Sequence, residues 1–485
     1  MSDIIKADVV IMGAGATGLA AAVQAAQSGA KVICFEKEKN FGGTGNFFEG
    51  TFAVGSHFQR EIFETYTTDQ AFKFIMEYSH WLANPRLVRN IVEESASTID
   101  WLEDAGVEFY GARINLPESP RTYHVAKGLG AAVMAALYKT AKELGVDFRF
   151  ETPVTEIFKE GGRISGVLAE DGSGEEVEVE APAVIIASGG YLNNKEWVKK
   201  YTGYTIGEDL LVVGNVDKMG DGIRMAWELG AAEEGTGVLE MFSVGPDSPN
   251  SSSKNDLEAI SMQPDLWVDK FGRRFCDEAV TFYDTTVGNA SAKCPGGFSW
   301  RVFDTSVIER IKTTGIDKNL GQAKPPGTPI PTIEDDLNSN LENNPNEVVG
   351  ADSIEELAAK MDIDPAVFRK TVDEYNEACS IGHDAIFAKD REWLRPITGP
   401  KYYALKGHTT CLGTKGGIKI NENMEVVDKK YQVIPGLYAG GFDAGGLYGD
   451  SYTISGSSGL SSGYALNSGK IAGRNATVYA KEAAK

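Results

Sequence analysis

The sequence predicts an α/β protein in which both chain ends build one nucleotide-binding domain, with an α+β domain inserted between them. Three observations carry this. A short apolar run, Ala7 to Met12, meets a glycine turn, Gly13-Ala14-Gly15-Ala16-Thr17-Gly18, and then an Ala-rich stretch. Between about residues 241 and 384 the texture changes to longer loops, a Pro-rich segment (Pro325, Pro326, Pro329, Pro331) and two helical patterns, Ile354 to Met361 and Pro365 to Ala378. Strand-and-glycine texture returns from Tyr402 to the end. The expected limits are 1–240 and 385–485 for the nucleotide-binding domain and 241–384 for the insert.

The β-branched run at the N-terminus has the pattern of a buried parallel strand. Leu19 to Ser28 favours helix and stops at Gly29. Lys31 to Phe35 reads as a second strand, and Glu36 ends it eighteen residues after Gly18. A GxGxxG pattern alone is weak evidence; between a strand and a helix, with an acidic residue ending the next strand, it is strong. This is the Rossmann-type arrangement. Gly13 permits the tight turn, Gly15 lets backbone approach a pyrophosphate, and Gly18 packs helix on strand. Ala16 and Thr17 open the helix whose N-terminus faces the phosphates. Glu36, with Lys37 beside it, would hold an adenosine ribose hydroxyl. A second glycine turn follows, Gly42-Gly43-Thr44-Gly45-Asn46. A bound NAD does not need it, whereas the ribityl chain and ring of an FAD run on past the first crevice. Further on, Val133 to Leu144 reads as a helix. Asp147 to Phe158 and Ile164 to Val179 read as strands, with a turn at Gly161-Gly162. Ala183 to Ala187 is another buried strand, closed by Ser188-Gly189-Gly190.

Composition sets the class. At 485 residues the chain is long enough for two or three domains and a large core. Apolar residues make up 42% and charged residues 24%, the balance of a soluble globular protein. The net charge is −22, which argues against nucleic acid and against an anionic membrane surface. No apolar run reaches the ~20 residues of a membrane span. No secretory leader is visible at the N-terminus, and a cytoplasmic location is expected. The five cysteines (Cys34, Cys276, Cys294, Cys379, Cys411) form no CxxC pair, so a disulfide scaffold, a zinc knuckle and a c-type haem are not expected. Fifty-five glycines stand well above the ~7% average usage and are clustered, as where backbone must approach something closely.

The chain resembles the flavoprotein family of fumarate reductases, succinate dehydrogenase flavoprotein subunits and 3-ketosteroid dehydrogenases. Gly42 to Asn46 with Glu49-Gly50 is similar to that family's flavin-cradling loop, and Thr152-Pro153-Val154 to its adenine-flanking strand. Ala187-Ser188-Gly189-Gly190 and Gly220-Asp221-Gly222 match its A(S/T)GG and GDG elements. Lys270 to Glu278 resembles the GxRFxxE strand of its capping domain. Gly413-Thr414-Lys415-Gly416-Gly417 and Ile434 to Asp443 complete the set, with Asp443 where a ribityl-binding Glu is usual. The resemblance implies a Rossmann-type FAD-binding domain with an inserted capping (substrate) domain. It places Gly43, Thr44, Gly45, Asn46, Gly50, Val154, Ala187, Ser188, Gly189, Asp221 and Asp443 at the cofactor. Ser458-Gly459-Leu460 would open a helix whose N–H groups face flavin N1 and O2. The first glycine loop lacks the His of covalent relatives, so non-covalent FAD is expected. With no CxxCH, electrons must come from an external donor, NADH or a redox protein.

The substrate ligands of fumarate reductases are missing. Phe282 stands at their acidic Arg, Tyr452 at their second Arg, and Leu412-Gly413 at their His pair. A buried dicarboxylate would lack counter-charge, and the acidic balance agrees with that loss. The pattern is closer to the ketosteroid dehydrogenases, whose two tyrosines match Tyr283 and Tyr452. One phenol would transfer a proton, and the other would polarise a carbonyl. His124, or Tyr123, would face substrate, and His408 could line the pocket. His57, His80 and His383 have no such context, and no metal-ligand spacing occurs. The expected function is hydride transfer between flavin N5 and a ring carbon of an uncharged polycyclic or aromatic substrate, steroid enone- or isoflavonoid-like. Reduction is favoured by analogy with reductases of anaerobic gut bacteria. One alternative is reduction of a small unsaturated acid, which would need Arg113, Arg121 or Arg274 in the pocket. Another is an electron-transfer flavoprotein without a small substrate.

Overall fold

The computed structural model describes residues 5–116, 118–214, 217–246, 256–319, 324–452, 454–483 and 485. The chain divides into two units. One is Met1–Gly203, Val216–Glu240 and Gly413–Lys485; the other is Tyr204–Asn215 and Met241–Leu412. The expected second boundary, after residue 384, lies 28 residues earlier than this one (412 − 384). The reason is the strand Tyr402–Thr414, which pairs residue by residue with Phe298–Asp304.

The first unit is built on a six-stranded sheet in the order Glu425–Val427, Val433–Ala439, Ala183–Ile186, Val9–Met12, Val32–Phe35, Asp147–Arg149. Its four fully buried central residues per strand, such as Val9–Met12, are apolar runs rather than alternating ones, as a sheet covered on both faces requires. The helix Ala16–Gln27 leaves the first strand directly, and the chain returns parallel as Val32–Phe35. Two runs that read as single strands are each divided. Asp147–Arg149 stays in the main sheet, while Val154–Glu160 pairs antiparallel with Arg163–Glu170. Pro153 lies at the break, where Glu151 has φ +53°. Glu176–Glu180 follows a turn at Asp171, whose carboxylate accepts from the Ser173 and Glu175 amides.

The second unit is a mixed α+β body. Its sheet contains Leu211–Val212, Tyr402–Thr414, Phe298–Asp304 and Leu266–Val268, with Val348–Ala351 also paired to Tyr402–Thr414. The helices Ile354–Lys360 and Pro365–Ile381 cover one face. They bury Leu357, Phe368 and Val372 against Leu266, Val268, Trp300 and Val302. Asp364 caps the second helix through the Ala366 and Val367 amides, with Pro365 at its first position.

The Arg-Phe-x-x-Glu segment pins this unit through charge. Arg274 grips the Glu278 carboxylate with Nε at 2.7 Å and Nη2 at 2.8 Å, and Nη2 also donates to Asp384 at 2.8 Å. Lys389, fully buried, donates to Glu278 at 3.1 Å, to Tyr375 Oη at 3.1 Å and to the Pro264 carbonyl at 2.6 Å. Two cations and two carboxylates thus neutralise one another out of water. Removing Glu278 leaves Lys389 without a carboxylate and Arg274 with Asp384 alone, so Glu278→Ala should cost about 3–5 kcal/mol of unfolding free energy. Denaturant titration reads this, and a loss below about 1 kcal/mol would show that the network is not fully desolvated.

Candidate active site

Close backbone contact builds the turn that opens the first unit. Gly13 has φ +100°, and a Cβ there would lie 2.4 Å from the Ala187 carbonyl oxygen. A Cβ on Gly18 would lie 1.8 Å from the Gly13 oxygen, so strand and helix can meet only without it. Gly15 differs, since its nearest neighbour is the Gly42 oxygen at 3.9 Å, and Gly43 faces Gly15 Cα at 3.8 Å. These two glycines leave an open floor between the first and second glycine turns. Glu36 is aimed at the same turn. Its Oε2 accepts from Ala14 N at 2.7 Å and its Oε1 from Glu38 N at 2.9 Å. Burial raises its pKa despite these bonds.

Beyond Glu36 lies a cleft of about 420 Å³ lined by Lys37, Pro153, Val154, Asp217, Met219 and Asp221. Lys37 is held there by Asp221 at 2.9 Å and Asp217 at 3.1 Å. Asp221 opens the helix Asp221–Glu228. The floor without side chains, the helix N-terminus, the acidic group and this cleft together fit an adenine dinucleotide.

The second glycine turn continues as a tight helical segment, Gly43–Phe47. Thr44 Oγ1 lies 3.5 Å from the buried Lys218 Nζ. Gly45 is buried against Ala16 and Met134, and Gly50 against the Tyr123 ring. Asn46 folds back over Gly42, where a Cβ would meet its side chain at 2.4 Å. Ala187 and Ser188 lead into Gly189 and Gly190. This turn is fixed by Asp443, fully buried, which accepts from Ser188 Oγ at 2.8 Å, Gly189 N at 2.9 Å and Gly190 N at 3.1 Å. Burial raises the Asp443 pKa. Ser458 Oγ donates to the Ile454 carbonyl at 3.1 Å. Gly459 (φ +84°) approaches Phe52 N so closely that a Cβ would lie at 2.6 Å, and Leu460 begins the helix Leu460–Ala483.

At that helix start sits a charged cluster that the sequence reading did not assemble. Lys415 and Glu240 are almost fully buried and form an ion pair at 2.5 Å. Ser461 Oγ bonds to both, donating to Glu240 at 3.2 Å. The Lys415 ammonium lies 3.9 Å from the Phe442 ring centroid and 4.8 Å from that of Tyr452. Tyr452, 4% exposed, hydrogen-bonds to Glu240, and its ring meets Tyr448 edge-on at 5.1 Å. Burial first, then the Glu240 charge, holds the Tyr452 phenol well above its ordinary pKa. The motif Gly413 to Gly417 marks Lys415, but no spacing marks Glu240 or Lys218.

His124 has a different part from the one its sequence position suggests. It is fully buried, with Nε2 2.7 Å from Ser56 Oγ and Nδ1 3.1 Å from the Thr122 carbonyl. Nδ1–H therefore donates to Thr122, and Nε2 accepts from Ser56. Burial lowers its pKa to about 4, so a neutral ring with both nitrogens engaged ties strand to helix cap. Tyr283 lies in the other unit, half-buried at the start of the helix Asp284–Ser291. His408 is paired to Glu347, which also holds Lys406. Arg113 lies over the Tyr110 ring at 5.1 Å, Arg121 is exposed, and Arg274 belongs to the Glu278 network. His57 divides its nitrogens between Asp100 at 3.1 Å and Glu103 at 3.6 Å, an ion-pair arrangement across two helices that spacing alone does not reveal.

A family model described as an FAD binding domain matches residues 8–458. A vinyl phenol reductase of Lactiplantibacillus plantarum is 35% identical over 480 residues, spanning 97% of this chain and 96% of that protein. A fumarate reductase (cytochrome) of Shewanella frigidimarina is 29% identical over 489 residues, spanning 98% and 78%. The open conformation of a flavocytochrome c3 fumarate reductase has a TM-score of 0.76 at 26% identity, covering 98% of this chain and 79% of that one. A 3-ketosteroid-Δ4-(5α)-dehydrogenase from Rhodococcus jostii shares the fold, with a TM-score of 0.77 at 23% identity over 98% of both chains. The chain belongs to the FAD binding domain family and is an FAD-dependent oxidoreductase of the fumarate reductase type. Among the described residues, no helix is long and apolar enough to cross a membrane.

Two outcomes follow from this geometry. Glu36→Ala should weaken FAD binding at least tenfold, read from flavin fluorescence released on dilution; unchanged retention would separate Glu36 from the ribose. His124 protonates near its ordinary value of 6.5 when unfolded and only near 4 when folded. The unfolded chain therefore binds more protons between these values, and stability falls as pH drops through that window. The loss is up to about 3 kcal/mol below pH 4. His124→Gln should flatten this part of the pH–stability curve; an identical slope in the variant would contradict the neutral-ring assignment.

Proposed function

We propose that this chain reduces a carbon–carbon double bond conjugated to an aromatic ring or a carbonyl, on an uncharged or weakly charged substrate. The supporting observation is the cluster at the start of the C-terminal helix. There Lys415 is neutralised by Glu240 and enclosed by Phe442, Tyr448 and Tyr452. A dicarboxylate brought to this cluster would meet a cation already paired and a carboxylate that repels it. Desolvating such a dianion without a counter-charge costs several kcal/mol. A flat aromatic or enone fits the same aromatic walls. The 35% identity to a vinyl phenol reductase over nearly its whole length supports both the aromatic class and the reductive direction.

When bound, FAD supplies the hydride equivalent at its N5, and an external donor, NADH or a redox protein, restores it. Saturating the double bond also takes one proton. Tyr452 holds such a proton, because burial and the Glu240 charge both oppose its phenolate. Lys415, paired with Glu240, lies 4.8 Å from the Tyr452 ring centroid and holds the phenol in place. Ser461 ties that pair to the helix start, so the cluster keeps its geometry.

The test is anaerobic reduction of the holoenzyme followed by reoxidation with hydroxystyrenes, steroid enones, isoflavonoids, cinnamates and fumarate. Neutral conjugated substrates should reoxidise the flavin, and reoxidation by fumarate alone would overturn the proposal. Tyr452→Phe should keep the FAD spectrum while slowing reoxidation about 10²-fold or more; a full rate would remove Tyr452 from proton transfer.

A further inference from the structure

The capping unit contains a further buried cation whose surroundings are unlike those of Lys415, Arg274 or Lys389. Arg301 is 2% exposed on the strand Phe298–Asp304. Its guanidinium stacks on the Trp267 ring at 3.4 Å, and Nη2 donates to Ser243 Oγ at 2.7 Å. Among the described residues, Nε and Nη1 have no acceptor. The strand register shows what lies beside it. Arg301 pairs with Trp267 on one side and Leu405 on the other, and Ser299 pairs with Gly407. The Thr409 amide donates to the Gly297 carbonyl, which continues the same register. Antiparallel partners share a face, so Ser299, Arg301, Gly407 and Thr409 lie together. The Ser299 and Thr409 hydroxyls are buried and have no partner among the described residues. Gly407 makes room for the guanidinium, since a Cβ there would lie 2.4 Å from Nε.

Charge around this face is not balanced by contact. Glu278 and Asp384 are consumed by Arg274 and Lys389. Glu258 acts on Arg301 only at a distance; its Oε2 accepts from Gly245 N at 2.5 Å, and burial pushes its pKa up to about 7. Burial raises the Cys276 and Cys294 thiols as well, so they stay neutral. Burial lowers Arg301 to about 10, which leaves it charged at neutral pH. Among the described residues, a charged guanidinium with two nitrogens lacking an acceptor and two hydroxyls without partners on one buried face form an arrangement of donors without acceptors.

We propose that Arg301, with the Ser299 and Thr409 hydroxyls beside it, forms a binding site in the capping unit for a small monovalent carboxylate. The carboxylate would accept from the free Nη1 edge of the guanidinium and from the two hydroxyls on the same face, as charge-assisted and neutral hydrogen bonds. This proposal does not depend on the substrate proposed for the phenol-and-lysine cluster.

Thermal unfolding of the holoenzyme, at constant ionic strength, tests the site. Sodium formate should raise Tm saturably by about 3 °C or more, with fluoride as the control anion. Arg301→Met should lose this response, and Arg301→Lys, with charge but no planar fork, should keep only part of it. The double variant Ser299→Ala/Thr409→Val keeps the guanidinium and should raise the half-saturating formate concentration about tenfold. It decides the matter alone if Arg301→Met does not fold. A 4-hydroxycinnamate arm identifies the source. A shift dependent on Arg301 with that acid points to a carboxylate on an organic molecule, and a response to formate alone points to a free small anion; both support the site. An equal rise in the wild type and Arg301→Met, or no saturable rise in the wild type, would overturn it.

Discussion

The first unit depends on two helices from opposite chain ends lying backbone against backbone. Gly469 and Gly473 of Leu460–Ala483 face Ala16–Gln27, where a Cβ would lie 2.2 Å from the Thr17 oxygen and 2.5 Å from the Ala21 oxygen. Gly440 and Gly441 lie against the Ser468 and Thr17 side chains. A side chain at Gly469 or Gly473 would force the helices apart, because backbone cannot yield as a flexible side chain can. This approach brings three segments together: the first glycine turn, the Asp443 turn and the start of the C-terminal helix. At Gly469 and Gly473 glycine thus marks close helix packing rather than a loop.

Buried charge in the two units follows two patterns. Where a cation meets a carboxylate, as with Lys415 and Glu240 or Arg274 and Glu278, the desolvation of each is offset by the other and by hydrogen bonds to fixed partners. Such a pair holds geometry but offers little net charge to a ligand. Arg301 has an aromatic ring and one hydroxyl in that role. A ring attracts a cation weakly compared with a carboxylate, so the group keeps most of its capacity for an anion. The contrast separates charges that organise the protein from a charge that can recognise something else.

Much of the cofactor end was legible because its chemistry is written in backbone-permissive residues at short spacings. Gly13, Gly15, Gly18 and Glu36 lie within one βαβ unit, and their roles follow from local geometry. Asp443 and the Ser188–Gly190 turn were quoted as separate motifs, and the structure joins them directly. The long-range clusters were not legible. Glu240 and Lys415 are 175 positions apart (415 − 240) and meet only through tertiary packing. Arg301 sits in an apolar strand pattern that reads as core, and its isolation depends on which strand faces it. His124 shows the reverse case. A histidine near a glycine turn suggests chemistry, but burial and two local hydrogen bonds make it a structural pin. The divided strands have a simpler cause, since Pro153 and the Asp171 turn interrupt patterns that hydrophobicity alone runs together.

The acidic excess also changes meaning. A net charge of −22 agrees with the missing arginine clamp, yet charges on the surface act through water and salt. At physiological ionic strength their field decays over about 8 Å. They can slow the approach of an anion, but they cannot choose between two ligands already inside a buried site. That choice rests on groups within contact distance, where the dielectric is low and each charge must be matched. In the cofactor-binding unit the Lys415 charge is already matched by Glu240, and under the proposed reading that pairing would disfavour a carboxylate and leave an aromatic surface to a ligand. Under that reading the surface charge and the matched site charge would both disfavour an anion for independent reasons, and only the second could set specificity.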